Sequence, residues 1–510
     1  MKQAFGCPLL LASCLALLMF SNCRIGSADE GSDEVDGEPL IYAHRFSIES
    51  KVLGEKRSYL VVKPTSYKHT RKKYPVLFLL DGDAHALHTA GVIQFLATNQ
   101  KIPEMIIVAI PNTDRTRDLT PPTHNEKDQE RFPTSGGADA FLEFVNDELR
   151  PAIESDYRVA DYSLLVGHSF GGLFAIHAMV NRPGSFDAYL AISPSLWWND
   201  QAIVEQAKEQ LPQTPDETCQ LYMTLGNEGG MMRAGFFSFA GVMEQFAGNQ
   251  RRWAHHNLDA ETHGSVPLRS TYLGLEYLFT DWRITNAPEL FEAGGLKLVE
   301  QRLDRARVRF KDLVDTDRAY DAIVDRLLKQ QELTRCRELI EALADRYQPL
   351  PRQWFALGEA YREQDEQAAE ACYRETLRLQ PSHEQAQDKL RELGVSEPGV
   401  NWSLEIPTVW IDQLVGSYAI TPNDDLIHIR SDGNGVTVQI NDQAPEELRR
   451  IADTRLFFSK SDIEIEFTPV LEDDASVGED EAIRRVDTIR IKLPRDEVLG
   501  HRCIDEHQTP

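Results

Sequence analysis

Cysteine is scarce in this chain: seven occur in 510 residues, and Cys7, Cys14 and Cys23 fall in an N-terminal apolar segment. The remaining four, Cys219, Cys336, Cys372 and Cys503, are scattered without a C-x-x-C or mixed Cys/His spacing. A zinc site of the common kind and a dense disulfide framework are thereby excluded. Buried free thiols are expected, with a Cys336–Cys372 pairing as the alternative. Positive charge is also short, since 54 Lys and Arg face 81 Asp and Glu for a formal net charge of -27. No basic stripe is available for nucleic acid or an anionic membrane surface. HExxH, P-loop and GxGxxG-with-acid patterns are missing too, so neither a metal nor a cofactor is expected.

Long apolar runs are also lacking. The run from Pro8 to Phe20 is too short to span a bilayer. Preceded by Lys2 and followed by the small residues Gly26-Ser27-Ala28, it reads as a secretory signal over residues 1–28, ahead of an acidic leader at 29–39. An exported protein is expected, with lipid attachment at Cys23 or Cys14 as the lesser alternative.

What is present is alternation. The segments YPVLFLLD (74–81), EMIIVAIPN (104–112), YSLLVGHS (162–169), AYLAISPS (188–195) and CQLYMTLGN (219–227) are near-continuous apolar runs, as parallel strands covered on both faces read. Helix-like stretches at 138–157, 172–182 and 235–248 separate them, and RFSIES with KRSYLVVKP reads as an edge hairpin. Residues 40–284 are therefore expected to form a doubly wound α/β sheet. Residues 285–395 carry helix formers throughout, and 354–381 follow the tetratricopeptide pattern through Trp354, Leu357-Gly358, Tyr361, Ala369, Tyr373 and Pro381. Two such units are fewer than a free-standing array needs, so this segment should pack against a neighbour, and it is also where a protein partner would dock. Evenly spaced short strands over 405–505 predict a small antiparallel β-domain.

Within the sheet region the decisive stretch is LLVGHSFGG, residues 164–172. A strand, a serine tip and closely following glycines before a helix are what a nucleophile elbow requires, and Ser169 is the candidate nucleophile. A hydroxyl needs a base to remove its proton, and the chain order serine, acid, histidine selects His263 in its His-Gly-Ser loop, with His255 and His256 in reserve. Glu228, just past the strand LYMTLG, is the acid of choice. Asp200 and Glu261 are alternatives, and a serine-histidine dyad without an acid stays open. Backbone N–H groups for an oxyanion should come from Phe170 and from the Gly82-Asp83 loop.

Together LLDGD, IPNTDRTRDLTPP, VGHSFGGLFA, ISPSLWWND, LGNEGG and ETHGSVP resemble the esterase family of α/β-hydrolases that includes esterase D-like enzymes and siderophore trilactone hydrolases. The likeness spans roughly Leu40 to Trp282. It implies Ser169 as nucleophile, His263 as base, Asp83 and Phe170 as oxyanion donors, and an acid that varies within the family. It also places Trp197-Trp198 where relatives carry an aromatic pair, either facing an aromatic acyl group or packing the loop onto the core. Of basic residues that could meet an anionic iron complex, Arg115 and Arg117 lie close to the motifs, Arg115 being the substrate-binding candidate. The expected activity is hydrolysis of a small-molecule carboxylic ester, with acyl transfer or a non-catalytic binding role through the helical repeats as alternatives.

Overall fold

In the strand Tyr74–Leu80 every residue is buried, and its side chains divide by parity. Val76, Phe78 and Leu80 enter one core, and Leu77 and Leu79 enter another. A strand with two apolar faces is stable only inside a sandwich of helices, and that is how the sheet is built in this computed structural model. The structure describes residues 40–68, 70, 72–213, 220–246, 252–381, 383–395, 406–420, 425–431, 435–441, 443–452, 455–458, 463–467, 488–493 and 496–502. The expected signal and acidic leader, Cys219 and Cys503 lie outside these residues. The chain divides into Met1–Ile41 and Tyr42–Pro510, and every described element lies in the second unit.

The sheet has eight strands: β1 (His44–Ser50), β2 (Glu55–Val62), β3 (Tyr74–Leu80), β4 (Ile106–Ile110), β5 (Val159–His168), β6 (Ala188–Ile192), β7 (Gln220–Gly226) and β8 (Trp253–Leu258). Their order is β1-β2-β4-β3-β5-β6-β7-β8. The hairpin β1–β2 joins β4 antiparallel, and β4, β3, β5, β6, β7 and β8 run parallel. Strand β8, WAHHNL, is absent from the sequence expectation because it is an edge strand with a half-exposed, mixed composition rather than an apolar run.

Helix α1 (Gly82–Thr98) follows β3, and the short helices α2 (Arg115–Leu119) and α3 (Glu126–Arg131) follow β4. A continuous helical run, α4 (Ala138–Glu143), a π turn (Phe144–Leu149) and α5 (Arg150–Asp156), leads to β5. Then come α6 (Phe170–Asn181), α7 (Trp198–Gln210), α8 (Gly230–Phe246) and α9 (Val266–Leu278). Phe141, Phe174, Phe236 and Phe239 fill one face of the sheet, and Ile93, Leu96, Leu275 and Leu278 fill the other.

Helix α10 (Ala287–Phe310) ends by inserting Phe310 into the second core, 6.1 Å from Phe279 and 6.0 Å from Tyr162 between ring centroids. Lys311 then bridges Asp161 at 3.1 Å and Asp187 at 2.8 Å. Phe310 and Lys311 thus help to fasten the helical segment to the bottom of the sheet, as does Arg302 on Asp281 at 3.1 Å. Helices α11 (Thr316–Lys329), α12 (Leu333–Ala342), α13 (Pro351–Tyr361), α14 (Glu366–Leu379) and α15 (Glu384–Glu392) continue it. Cys336 and Cys372 are buried there as free thiols, and burial pushes both up to about 12. Beyond them, strands from Gly416–Ile420 to Asp496–Arg502 close an antiparallel barrel. Ile427, Ile429, Val436 and Val438 point inward at every second position. Among the described residues no helix is long and apolar enough to cross a membrane.

Candidate active site

The strand β5 ends at His168, and the chain reverses at Ser169 with φ 61° and ψ -114° before entering α6. A non-glycine residue in this region costs on the order of 1–3 kcal/mol and persists only when its surroundings enforce it. They do so here: Ser169 donates its N–H to the Ile192 carbonyl at 2.9 Å, and its own carbonyl accepts from Ser195 N at 3.0 Å. Gly167 is required by contact, since a Cβ there would lie 2.2 Å from the Gly171 carbonyl oxygen.

The acid and base come from the neighbouring strand ends. Glu228, after β7, accepts from His263 Nδ1 at 2.8 Å through Oε2 and from Ser193 Oγ at 2.6 Å through Oε1. Ser193 in turn accepts from Gly226 N at 3.0 Å. Burial alone would raise the Glu228 carboxyl, but hydrogen bonds from His263 and Ser193, with the His263 charge and the Gly226 N–H, hold it below the usual carboxylate range. The other two carboxylates are occupied elsewhere. Asp200 accepts from Asn125 at 3.0 Å, and Glu261 accepts from Ser265 at 2.7 Å and pairs with Arg269 at 3.7 Å. His255 sits on β8 against Phe236, Phe237 and Trp253.

No hydrogen bond joins Ser169 to His263 among the described residues. Instead the His168 ring bridges the elbow to the base, 4.5 Å from the His263 ring between centroids. Burial, then the neighbours His263 and His85, pushes His168 down to about 4, so it is neutral at physiological pH. The Ser169 hydroxyl meets Ser195 Oγ at 3.3 Å.

On the opposite side of the serine, Asp81 is the left-handed N-cap of α1. Its buried carboxylate receives Arg115 Nε at 2.6 Å, Arg115 Nη2 at 2.9 Å and Asn112 Nδ2 at 2.7 Å. Burial would raise Asp81, but Arg115, Asn112 and His85 outweigh it and lower the carboxyl. Arg115 Nη2 also donates to the His168 carbonyl at 3.1 Å, so one guanidinium ties the β3 loop to the elbow. Expected to meet substrate, Arg115 is committed to this brace. Arg117 is likewise engaged, by Glu55 and Asp118. Asp83 turns its side chain outward to Arg45 at 3.0 Å, while its backbone lies on the first turn of α1. Phe170 occupies the first turn of α6. First-turn N–H groups lack intrahelical partners, which is what an oxyanion site needs.

The tryptophan pair separates. Trp198 is 2% exposed, donates Nε1 to the Pro121 carbonyl at 2.9 Å and packs edge-on to Phe170. Its expected place in substrate binding is therefore corrected: it is core. Trp197 is half-buried, with Nε1 3.1 Å from Met232 Sδ and its ring 6.0 Å from Phe170 and 6.4 Å from Phe132. The next three residues, Asn199, Asp200 and Gln201, have φ of 48°, 52° and 65°. That left-handed run is held by Asn199, which accepts from Thr123 Oγ1 and His124 N and donates its N–H to Asp128.

The family model described as "Putative esterase" matches residues 50–264. Over these residues the chain is similar to the esterase family of α/β-hydrolases. The esterase domain is 38% identical over 151 residues to siderophore triacetylfusarinine C esterase of Aspergillus fumigatus, covering 27% of this chain and 50% of that protein. Against ferri-bacillibactin esterase BesA of Bacillus subtilis it is 33% identical over 149 residues, 26% of this chain and 52% of the other. The chain thus spans about half the length of these curated relatives. The crystal structure of an uncharacterised protein from Capnocytophaga ochracea shares the fold with a TM-score of 0.53 at 16% identity, over 69% of this chain and 100% of that one. Ser193, Ser195, His168 and Asp81 carry parts of the site that the sequence reading did not single out. The signal for the two serines was their place in ISPS, directly after a strand.

Proposed function

We propose that this protein is a serine carboxylic-ester hydrolase working through an acyl-enzyme. The observation that carries the reading is the strained Ser169 elbow, whose preceding His168 ring lies 4.5 Å from that of His263, with His263 Nδ1 held by the partly buried Glu228. In that mechanism Ser169 Oγ attacks the ester carbonyl carbon while His263 Nε2 takes its proton. His263 then returns the proton to the departing alcohol, and water repeats the sequence on the acyl-enzyme. Glu228 holds the imidazole with Nε2 toward the serine and stabilises the imidazolium. The first-turn N–H groups of Phe170 and Asp83 receive the oxyanion.

A siderophore-type or an aromatic ester is the substrate class within this proposal, the first supported by the names of the relatives and the second by the partly exposed Trp197 near the elbow. Export is also part of it, on the strength of the Pro8–Phe20 run after Lys2. The test is hydrolysis of p-nitrophenyl acetate, a feruloyl ester and a catecholate trilactone by the wild type, Ser169→Ala and His263→Ala. Each substitution should lower turnover by about three orders of magnitude or more, and the double variant should be scarcely worse. A Ser169→Ala protein with near-native rates would remove the reading.

A further inference from the structure

We infer that the hydroxyl of Ser195 is a further catalytic group, a hydrogen-bond donor to Ser169 Oγ that strengthens as negative charge develops there. The inference rests on the esterase reading and adds a residue to it.

Three observations carry it. First, Ser195 is 2% exposed, and the hydrogen-bond partner of its hydroxyl among the described residues is Ser169 Oγ. A buried hydroxyl has one proton and two lone pairs to place, and here its placement is on the reacting atom. Second, the side chain is not needed to hold the loop. The backbone does that, through Ser195 N to the Ser169 carbonyl, Ser169 N to the Ile192 carbonyl, and Ser193 N to the Thr224 carbonyl at 2.8 Å. Ser193, two residues earlier, uses its hydroxyl on Glu228 and Gly226 N. One loop thus sends one serine to the acid and one to the nucleophile. Third, β6 lies between β5 and β7, whereas the β3 loop with its first-turn N–H groups lies across β5. Ser195 therefore approaches Oγ from the acid-base side and serves Oγ itself, not the carbonyl oxygen.

The length of the contact explains how it can act. At 3.3 Å it is slack for two neutral hydroxyls, whose usual separation is about 2.7–2.8 Å. Donors to ionised oxygens draw in and strengthen. As the Ser169 proton passes to His263 and Oγ bonds to the carbonyl carbon, Oγ carries partial negative charge. It does so again when the second tetrahedral intermediate collapses and Oγ is expelled, regaining a proton from His263. The Ser195 proton stays on Ser195 throughout. An interaction weak at rest and strong at both crossings lowers the barrier without tightening substrate binding.

The experiment compares Ser195→Ala, Ser195→Thr and Ser169→Ala in the full chain, by p-nitrophenyl acetate kinetics and by the rate of labelling with a fluorophosphonate. Ser195→Ala should lower kcat and the labelling rate by about tenfold with KM unchanged, and Ser195→Thr should recover most of both. If Ser195→Ala fails to fold, Ser195→Cys keeps the volume while donating weakly and should show the same loss. Wild-type rates in Ser195→Ala or Ser195→Cys, or a loss confined to KM, beside an inactive Ser169→Ala, overturn this inference and leave the esterase reading standing. An active Ser169→Ala overturns both.

Discussion

Adjacent tryptophans with opposite fates give a sharp test of the site geometry. Trp198 is enclosed by Phe132 and Phe170 and bonded to the Pro121 carbonyl, so truncation empties a core position and strands a carbonyl. A buried Trp→Ala change costs about 3–5 kcal/mol. For a domain of this size each kcal/mol moves the melting temperature by about 2–4 °C, so Trp198→Ala should melt roughly 6–20 °C lower. Its losses on acetyl and aromatic esters should be equal, because the ring meets neither. Trp197→Ala removes a half-buried ring and should leave melting within a few degrees. If the aromatic-ester proposal holds, it raises KM for a feruloyl ester roughly twofold to tenfold, the worth of about 0.5–1.5 kcal/mol of ring contact, and spares the acetyl ester. Differential scanning calorimetry and Michaelis kinetics on the two esters read both variants. A Trp198→Ala protein that melts normally but loses selectivity for the aromatic ester would refute the division drawn from burial.

Other outcomes follow from the same geometry. Glu228→Gln should reduce turnover less than His263→Ala, while Asp200→Asn and Glu261→Gln stay within about twofold of wild type; a crippling Glu261→Gln beside a silent Glu228→Gln would reassign the acid. Arg115→Ala leaves the buried Asp81 without its main partner, so urea denaturation should show a loss of about 3 kcal/mol together with lower kcat, and Arg115→Lys should not restore the bidentate brace. Stability should also fall in mild acid. His168 sits at about 4 when folded against 6.5 ordinarily, so the unfolded chain takes up the proton first. The stability present above pH 6.5 is lost as pH falls toward 4, by at most about 3 kcal/mol from this residue. Urea titrations at pH 7.5, 6 and 5 should show that slope, and His168→Asn should make it shallower, the remainder coming from His88, which burial also pushes down to about 4.

The elements that a local rule can specify were legible in the sequence. Buried parallel strands announce themselves as unbroken apolar runs, and LLVGHSFGG carries in nine residues the glycine contacts and the strand-to-helix turn that an elbow needs. Strand β8 was not legible, because an edge strand with one wet face loses the apolar run that marks its neighbours. Which carboxylate meets His263 was open for a different reason. Glu228, Glu261 and Asp200 all follow strands whose ends open on one crevice, and only the packed loops direct Glu228 to the imidazole and turn the others to Ser265 and Asn125. Arg115 read as a free cation until Asp81, thirty-four residues earlier, was placed beside it. The tryptophans are neighbours in sequence, so composition cannot rank them. Their separation was decided by the left-handed run at Asn199–Gln201, pinned by Thr123, His124 and Asp128 from a segment more than seventy residues away, which seats one ring in the core and leaves the other partly in solvent.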